Sequence, residues 1–488
     1  MIKFSFLVKE NLMNLQIEDA SAWSEAIFGN CSLGDKRLTR RLVKIGTQLS
    51  KNQGSSLSES CGGEDALIEG SYRFIRNKRC NANTIAKGGY DVTAYLAQTT
   101  PLLLAIEDST SISYEHSVRE ELGLTSNNER AKKRGYIVHS TLLMDAEKEK
   151  TIGLIAQERW SRDTNSFGKR ILRANTDYEN KESYKWEKNT HELENRLGSK
   201  LCDTISVCDR EADIYEYIQY KLGHNQRFVV RANHDRKLKG STESLFALVA
   251  NEKVLGSYTI EIAQKANRKK RTVTLEVKAK QVVFTPPKRR AGALTKLQPI
   301  TLNVVIVREQ DSLADEALEW ILLTTESIST FDEVRKITRY YELRWRIEDF
   351  HKAWKSGVGV ENLRMQSSDN LEKMVVILSF LAIRLLQLKE HFEPELLSSE
   401  ENKVPICCEE LLTEIEWKVL WKTVEKKALP ENPPNATWAY QAIAKLGGWS
   451  NSKRTGKASW ATVWKGWFKL TERVQGVLIA QDIGVIKM

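Results

Sequence analysis

The stretch YELRWRIEDFHKAWK, Tyr341 to Lys355, decides how the rest of the chain is read. It has no Pro or Gly, and Leu343, Ile347, Phe350 and Trp354 recur at i, i+4, i+7 and i+11. At 3.6 residues per turn these four form one apolar stripe, which predicts a single helix docked on a core. At about 100° per residue, Tyr341, Arg344, Glu348 and Lys355 fall within roughly 60° of one another on the opposite side. One acid thus stands among a phenol, a guanidinium and an ammonium. On an arbitrary helix that pattern reads as solvated i,i+4 ion pairs. Two acids at the ends of upstream strands favour another reading, a two-metal phosphoryl-transfer site.

The first of these acids closes TPLLLAIEDST (Thr100 to Thr110), a continuous apolar run ended by Glu107 and Asp108. It reads as a central strand with a carboxylate at its carboxyl end, where open α/β sheets place their sites. YIVHSTLLM (Tyr136 to Met144) and IGLIAQ (Ile152 to Gln157) read as the next two strands, and a charged helix follows from about Tyr178 to Leu197. DTISVCDREADIYEYI then gives a second strand ending in an acid, Asp209, and QRFVVRANH (Gln226 to His234) a third with Arg231 at its exit. Beyond about residue 234 the strands YTIEIAQ, TVTLEVKA, ITLNVVIV and LEWILLT are short and alternating, with Pro, Gly and the basic loops NRKKR and PPKRR between them. They read as an antiparallel β insert within the α/β domain.

Asp108 and Asp209 on neighbouring parallel strands, with Glu348 on a helix beside them, would repel one another unless hard cations neutralised them. Oxygen-only ligation suits Mg²⁺ or Mn²⁺, and two such ions activate a water or a 3′-hydroxyl and stabilise the leaving oxygen. Arg344, Lys355 and Tyr341 would hold the flanking phosphates. Taken singly, Asp108 reads as a turn or cap acid and Asp209 as a partner of Arg210. The triple combination with the Tyr/Arg/Glu/Lys face is far more specific. Among competing acids, Glu107 points to the other face of its strand. Glu211 and Asp213 read as caps of the following helix, and Glu182 as an exposed helix acid or a border of the site. His139 reads as a hydrogen-bonded structural residue. So does His351, the better of the two as a phosphate contact.

Length and composition bound these readings. The chain has 488 residues, 41% hydrophobic and 28% charged, enough for two or three domains. A net charge of +10 favours a polyanionic partner, nucleic acid before membrane. Seven scattered cysteines without a CxxC pair imply reduced thiols. The opening MIKFSFLVKENL has no signal-peptide pattern, Met13 offers an alternative start, and the apolar run from Met374 to Leu388 is too short to span a bilayer. A soluble, cytoplasmic protein is expected. The early segments LGDKRLTRRLVKIGTQLSK and ALIEGSYRFIRNKR carry Arg37, Arg41, Arg73 and Arg76 on small helices, suited equally to phosphates or to a solvated face. SWATVWKGWFKL puts Trp460, Trp464 and Trp467 on one helical face, read as core or a subunit interface.

With those segments in view, the chain resembles cut-and-paste DDE transposases of the Tn-five type, in the bacterial insertion-sequence-four family. The resemblance runs through LGDKRLTRRL, EGSYRFIRN, LLAIEDSTSISY, VCDREADI, RFVVR, WILLT and YELRWRIEDFHKAWK to LGGWSNSKRTGKASW. That family's signature, Y-x2-R-x3-E-x6-K, is intact as Tyr341, Arg344, Glu348 and Lys355. The resemblance implies an RNase H-like fold in which Asp108, Asp209 and Glu348 bind two divalent metals, Mg²⁺ with Mn²⁺ as substitute. It implies cleavage at terminal inverted repeats through a DNA hairpin, joining of the 3′-hydroxyl to target DNA, and a homodimer that pairs two ends near the nucleoid. Hairpin formation needs a base held out of the stack. Trp320 stands at the matching place, with Trp345 a second stacking candidate; on residue pattern alone Trp320 is a core tryptophan. Arg231 matches a DNA-contacting arginine. The implied domains are 1-81 for end recognition, 82-394 for catalysis with the β insert at about 235-330, and 395-488 for dimerisation. The alternative readings are a catalytically silent DNA-binding regulator and an RNase H-like nuclease without strand transfer.

Overall fold

The computed structural model describes residues 19–52, 54–126, 133–163, 176–262, 271–287, 297–310, 317–392, 407–410, 412–450, 452 and 458–485. The opening FSFLV run, Met13, most of NRKKR, the end of PPKRR and the stretches 393–406 and 453–457 lie outside them. The chain forms two compact units, one of residues 93–111 and 123–348, the other of residues 1–92, 112–122 and 349–488.

The first unit is built on a nine-stranded sheet in the order β3-β2-β1-β4-β5-β9-β8-β7-β6. β1 (Leu103–Tyr114) and β4 (Thr204–Cys208) run parallel from Leu103 opposite Thr204 to Ile106 opposite Val207. β4 is parallel in turn to β5 (Arg227–Arg231), while β2 (Arg134–Asp145) and β3 (Lys150–Trp160) form an antiparallel hairpin. Leu103 to Ile106, Ile205, Val207 and Phe228 to Val230 are all fully buried. Burial on both faces is why these strands are continuous apolar runs. The order 3-2-1-4-5 with a parallel 1-4-5 centre fits an RNase H-like core.

One expectation about this sheet changes. β1 does not end at Asp108 but continues to Tyr114; what ends is its pairing with β4, two residues before Asp108. The antiparallel strands read as an insert continue the central sheet. β9 (Glu319–Thr324) pairs with β5, and β8 (Ile300–Glu309), β7 (Arg271–Phe284) and β6 (Gly256–Ile262) extend the same sheet outward. One apolar cluster runs through both parts, from Trp186, Tyr217 and Phe228 to Phe284, Leu302 and Leu323. The charged helix expected from residue 178 begins as 3₁₀ turns and becomes α5 (Lys185–Leu197). α6 (Tyr215–Gly223) follows β4, and a short α7 (Leu245–Ala250) follows β5.

The deciding stretch is not one uniform helix. α8 (Phe331–Leu343) starts at a capping box of Thr330 and Glu333 and stops at Arg344, and α9 (Trp345–Lys352) continues into a π turn, Ala353–Gly357. At the break the ladder tightens to i→i−3 spacing, with Arg344 N bonding Tyr341 O at 3.1 Å and Ile347 N bonding Arg344 O at 3.2 Å. The stripe Leu343, Ile347, Phe350 and Trp354 is buried as its spacing requires.

The second unit is helical apart from the end of β1. α1 (Ala20–Phe28), α2 (Lys36–Lys51), α3 (Asp65–Ile75) and most of α4 (Ala82–Ala97) pack with α10 (Ser368–Phe392), which is the Met374–Leu388 run buried as expected. Phe380 of α10 lies 6.0 Å from the Phe28 ring and 5.7 Å from Tyr90. Gly89 makes room for it, since a Cβ there would stand 2.2 Å from the Phe380 ring. Lys373, fully buried, donates to Ile75 O at 2.9 Å and Asn77 O at 3.1 Å. Further on, α11 (Glu414–Val424), α12 (Ala436–Leu446) and α13 (Trp460–Asp482) complete the unit. The close approach of α12 and α13 demands glycine: a Cβ on Gly447 would lie 1.8 Å from Thr462 O, and one on Gly466 1.8 Å from Ile443 O. Trp464 is buried in α13. The seven cysteines are all free thiols. Among the described residues no helix is long and apolar enough to cross a membrane.

Candidate active site

Asp108 and Asp209 stand at one level of the sheet. Ile106 and Val207 are the last paired residues of β1 and β4, and each acid follows its pair by two positions. Asp209 leaves β4 as the cap of a 3₁₀ turn, its Oδ1 accepting Glu211 N at 2.8 Å. Asp108 Oδ1 accepts Ser109 N at 2.8 Å. Glu348 enters from α9, and Arg344 at the helix break reaches both sides: Nη2 is 3.2 Å from Glu348 Oε1 and Nη1 is 3.7 Å from Asp108 Oδ2. Tightening at Arg344 thus puts its guanidinium between two carboxylates from distant parts of the chain.

Three acids face one guanidinium, and the electrostatics register the imbalance. The Asp108 carboxyl is pushed up to about 6, first by burial and then by Asp209 and Glu348, with Arg344 pulling the other way. Burial would lower the Arg344 guanidinium, but Tyr341, Asp108, Asp209 and Glu348 outweigh it and hold it above its ordinary value. Arg344 Nε is buried with no hydrogen-bond partner among the described residues, so donors remain on this side chain. Burial raises the Tyr341 phenol, while Arg344 and a hydrogen bond from Arg231 oppose that shift. The donor set is all oxygen and its charge surplus is negative, which fits hard divalent cations. As placed, no three His, Cys, Asp or Glu side chains among the described residues stand close enough to hold an ion; the Arg344 guanidinium occupies the position between two of the acids.

The surrounding residues sort into two groups. In the sheet unit, Arg231 Nη2 donates to Glu319 O at 2.9 Å, which brings it beside Trp320. Trp320 is 9% exposed and meets Tyr341 edge-on at 5.4 Å. Tyr341 is itself buried, not presented on an outer helix face as its position in the stretch implied. Trp345 is 47% exposed, with the Arg344 guanidinium 5.7 Å from its ring. Of the two stacking candidates, Trp345 is the more exposed. Lys355, His351, Arg37, Arg41, Arg73 and Arg76 belong to the helical unit. His351 is buried, which argues against a phosphate contact. Arg37 is exposed, Arg73 pairs with Glu69, and Arg76 lies 5.6 Å from the Tyr72 ring centroid. Arg41 packs its guanidinium against α3 at Gly70, with Nη1 buried and without a hydrogen-bond partner among the described residues.

Two competing acids have other employment. Glu182 is held by Arg162 through two bonds of 2.9 and 2.6 Å. Asp213 does not cap a helix; it accepts Asn233 N at 2.7 Å and His234 N at 2.9 Å and pairs with Arg236, clamping the exit of β5. Behind Asp108 lies a group whose wiring the sequence did not disclose: Glu107 and His139, both fully buried, with Ser109 and Asn189. Strand alternation gives Glu107 its face, but its partners come from β2 and α5.

The transposase DDE domain family matches residues 101–385, more than half of the chain and the span that contains all three acids. The chain belongs to the DDE transposases. A transposase DNA-binding family matches residues 20–80, the segment of α1 to α3. This transposase is therefore an enzyme of DNA transposition and recombination that binds DNA, and metal binding follows from its family. Among solved structures it is similar to a piggyBac transposase synaptic complex with hairpin DNA. That likeness has 10% identity over 97% of this chain and 81% of the other, with a TM-score of 0.34, too low to bear on the fold.

Proposed function

We propose that this transposase is of the bacterial insertion-sequence-four type, cutting the ends of its own element and joining them to target DNA. The supporting observation is the convergence of Asp108 and Asp209, each two residues past the paired ends of neighbouring parallel strands, with Glu348 of α9, Arg344 lying 3.7 Å from Asp108 Oδ2 and 3.2 Å from Glu348 Oε1. Asp108, Asp209 and Glu348 are the catalytic carboxylates and would hold two Mg²⁺ ions, with Mn²⁺ as substitute. Bound there, the metal supplies a more acidic water or 3′-hydroxyl nucleophile and charge stabilisation for the leaving oxygen.

The chain's own groups do the rest. Arg344 offsets part of the acids' charge in the absence of metal and turns its remaining donors to a phosphate. Tyr341, Arg231 and Lys355 grip the flanking backbone. Trp320 takes a base displaced from the stack during hairpin formation, exchanging its contact with Tyr341 for the base, and Trp345 supports it. Arg37, Arg41, Arg73 and Arg76 bind the terminal inverted repeats through the end-recognition domain of residues 1-81. Residues 82-394 carry catalysis, and residues 395-488 pair two protomers on two ends. The protein works in the bacterial cytoplasm on the nucleoid.

The test is incubation of wild type and Glu348→Ala with the element's inverted repeats and Mg²⁺ or Mn²⁺, read on a denaturing gel. Wild type yields nicks, hairpins and joined strands; Glu348→Ala binds the ends without cutting them. Binding without cutting by both proteins would make the chain a silent regulator, and cutting without joining would make it a nuclease.

A further inference from the structure

We propose that His139 and Ser109 are positioning residues for Asp108, fixing its carboxylate from the opposite face of the sheet before metal binds. The inference rests on the reading of Asp108 as a metal-binding carboxylate. Asp108 needs such support because β1 has outrun β4, leaving it without a parallel neighbour on that side. Strand alternation turns Glu107 and Ser109 to the face away from Asp108. On that face His139 of β2, fully buried, spans both of them: Nε2 is 3.4 Å from Glu107 Oε2 and Nδ1 is 3.0 Å from Ser109 Oγ. One neutral tautomer satisfies both, with Nε2–H donating to the carboxylate and Nδ1 accepting from the hydroxyl.

The other parts of the bracket hold His139 and Glu107 in turn. Asn189 of α5 donates to the same Glu107 oxygen at 2.8 Å and to Thr141 Oγ1 at 2.7 Å. The Trp186 ring meets the imidazole edge-on at 4.6 Å and fixes its plane. The residue pinned by His139 Nδ1, Ser109, is also the one whose backbone N–H holds Asp108 Oδ1 at 2.8 Å. The path from imidazole to carboxylate is therefore two hydrogen bonds long. Burying a carboxylate whose Oε1 finds no hydrogen-bond partner among the described residues is a poor way to stabilise a core, where apolar side chains would fill the same space at less cost. Orientation of Asp108 is what the arrangement provides. Partners that orient metal ligands from behind are worth about 10–100-fold in metal affinity.

Mn²⁺ binding to the full-length protein, followed by the electron paramagnetic resonance of free Mn²⁺, tests this without reference to turnover. Ser109→Ala and His139→Gln should each need about tenfold more Mn²⁺ for saturation. Ser109→Thr, which keeps the hydroxyl, should match wild type. Ser109→Ala removes only one atom from a half-buried site, so its melting temperature and inverted-repeat binding should hold, and it carries the test if His139→Gln folds poorly. Unchanged Mn²⁺ binding in Ser109→Ala, or equal weakening in Ser109→Thr, would overturn the positioning role while loss of binding in Asp108→Asn left the proposed function standing. Wild-type Mn²⁺ binding by Asp108→Asn would remove the foundation instead.

Discussion

Asp108 is ionised at neutral pH only against the preference of its surroundings. Burial and the neighbouring Asp209 push its carboxyl up to about 6 from an ordinary 3.8. A raised folded value means the group contributes stability that is complete below the unfolded value and is lost as pH climbs through the folded one. Metal-free protein should therefore lose on the order of 2 kcal/mol between pH 4 and pH 7.5 from this residue. Chemical denaturation of Asp108→Asn should show it: the variant is the more stable protein at pH 7.5, and the gap closes below pH 4. A wild type as stable as the variant at pH 7.5 would mean that the acids do not repel as placed. Trp320 makes a second prediction at this scale. Its ring lies against Tyr341 beside Arg231, so Trp320→Ala should nick the first strand normally and stall before the hairpin, with Trp345→Ala less affected. Normal hairpin yield from Trp320→Ala would exclude it from the mechanism. The acids were legible because each closes an apolar run or sits on a helix with fixed spacing. The bracket behind Asp108 was not, because it depends on which residue of β2 lies across from β1.

At the scale of elements, the reading of α8 and α9 as one helix put the acid on a helix, where it lies, and missed the break that aims Arg344. A local tightening of the hydrogen-bond ladder leaves no mark in apolar periodicity. Similarly, alternation identified the outer strands, but only the pairing of β5 with β9 joins them to the central sheet, and that pairing spans Val229 to Thr324. A charged cluster adds to the buried Val334 and Ile337 in holding α8 against this sheet. Glu342 accepts from Arg335 at 3.0 Å, from Arg339 at 3.0 Å and from Tyr258 Oη at 3.1 Å. Arg339 also grips Glu149, at 2.7 Å for its Nε, in the β2–β3 turn, where Glu149 has φ 54°. Glu342→Ala would leave two half-buried guanidinium groups short of an acceptor. A destabilisation of about 1–3 kcal/mol is expected in urea denaturation. DNA cleavage should fall further than DNA binding, because α8 carries Tyr341 and leads to Arg344. A stability unchanged within error would show the cluster to be only a surface network.

The whole molecule divides differently from the order of its sequence. The basic helices at the start and the helices at the end belong to one unit, which the sheet unit interrupts twice. Composition marks each segment as helical but says nothing about which distant helix covers which. Lys373 shows the dependence. It is fully buried, so it cannot touch DNA, yet it holds the carbonyls of Ile75 and Asn77 at the end of α3. Lys373→Met should cost about 2 kcal/mol through those unsatisfied carbonyls and weaken binding to the inverted repeats in a mobility-shift assay. Unaltered end binding would mean that α1 to α3 hold their shape without α10.

The reach from Lys373 to Ile75 is 298 residues along the chain. At a synthesis rate of about 5–20 residues per second, that stretch takes roughly 15–60 s to make. Throughout that interval the basic helices have left the ribosome without the helix that closes their core. A message cut short before the codon for Ser368 thus yields a protein that carries every early arginine but lacks the helix that packs with the helices bearing them.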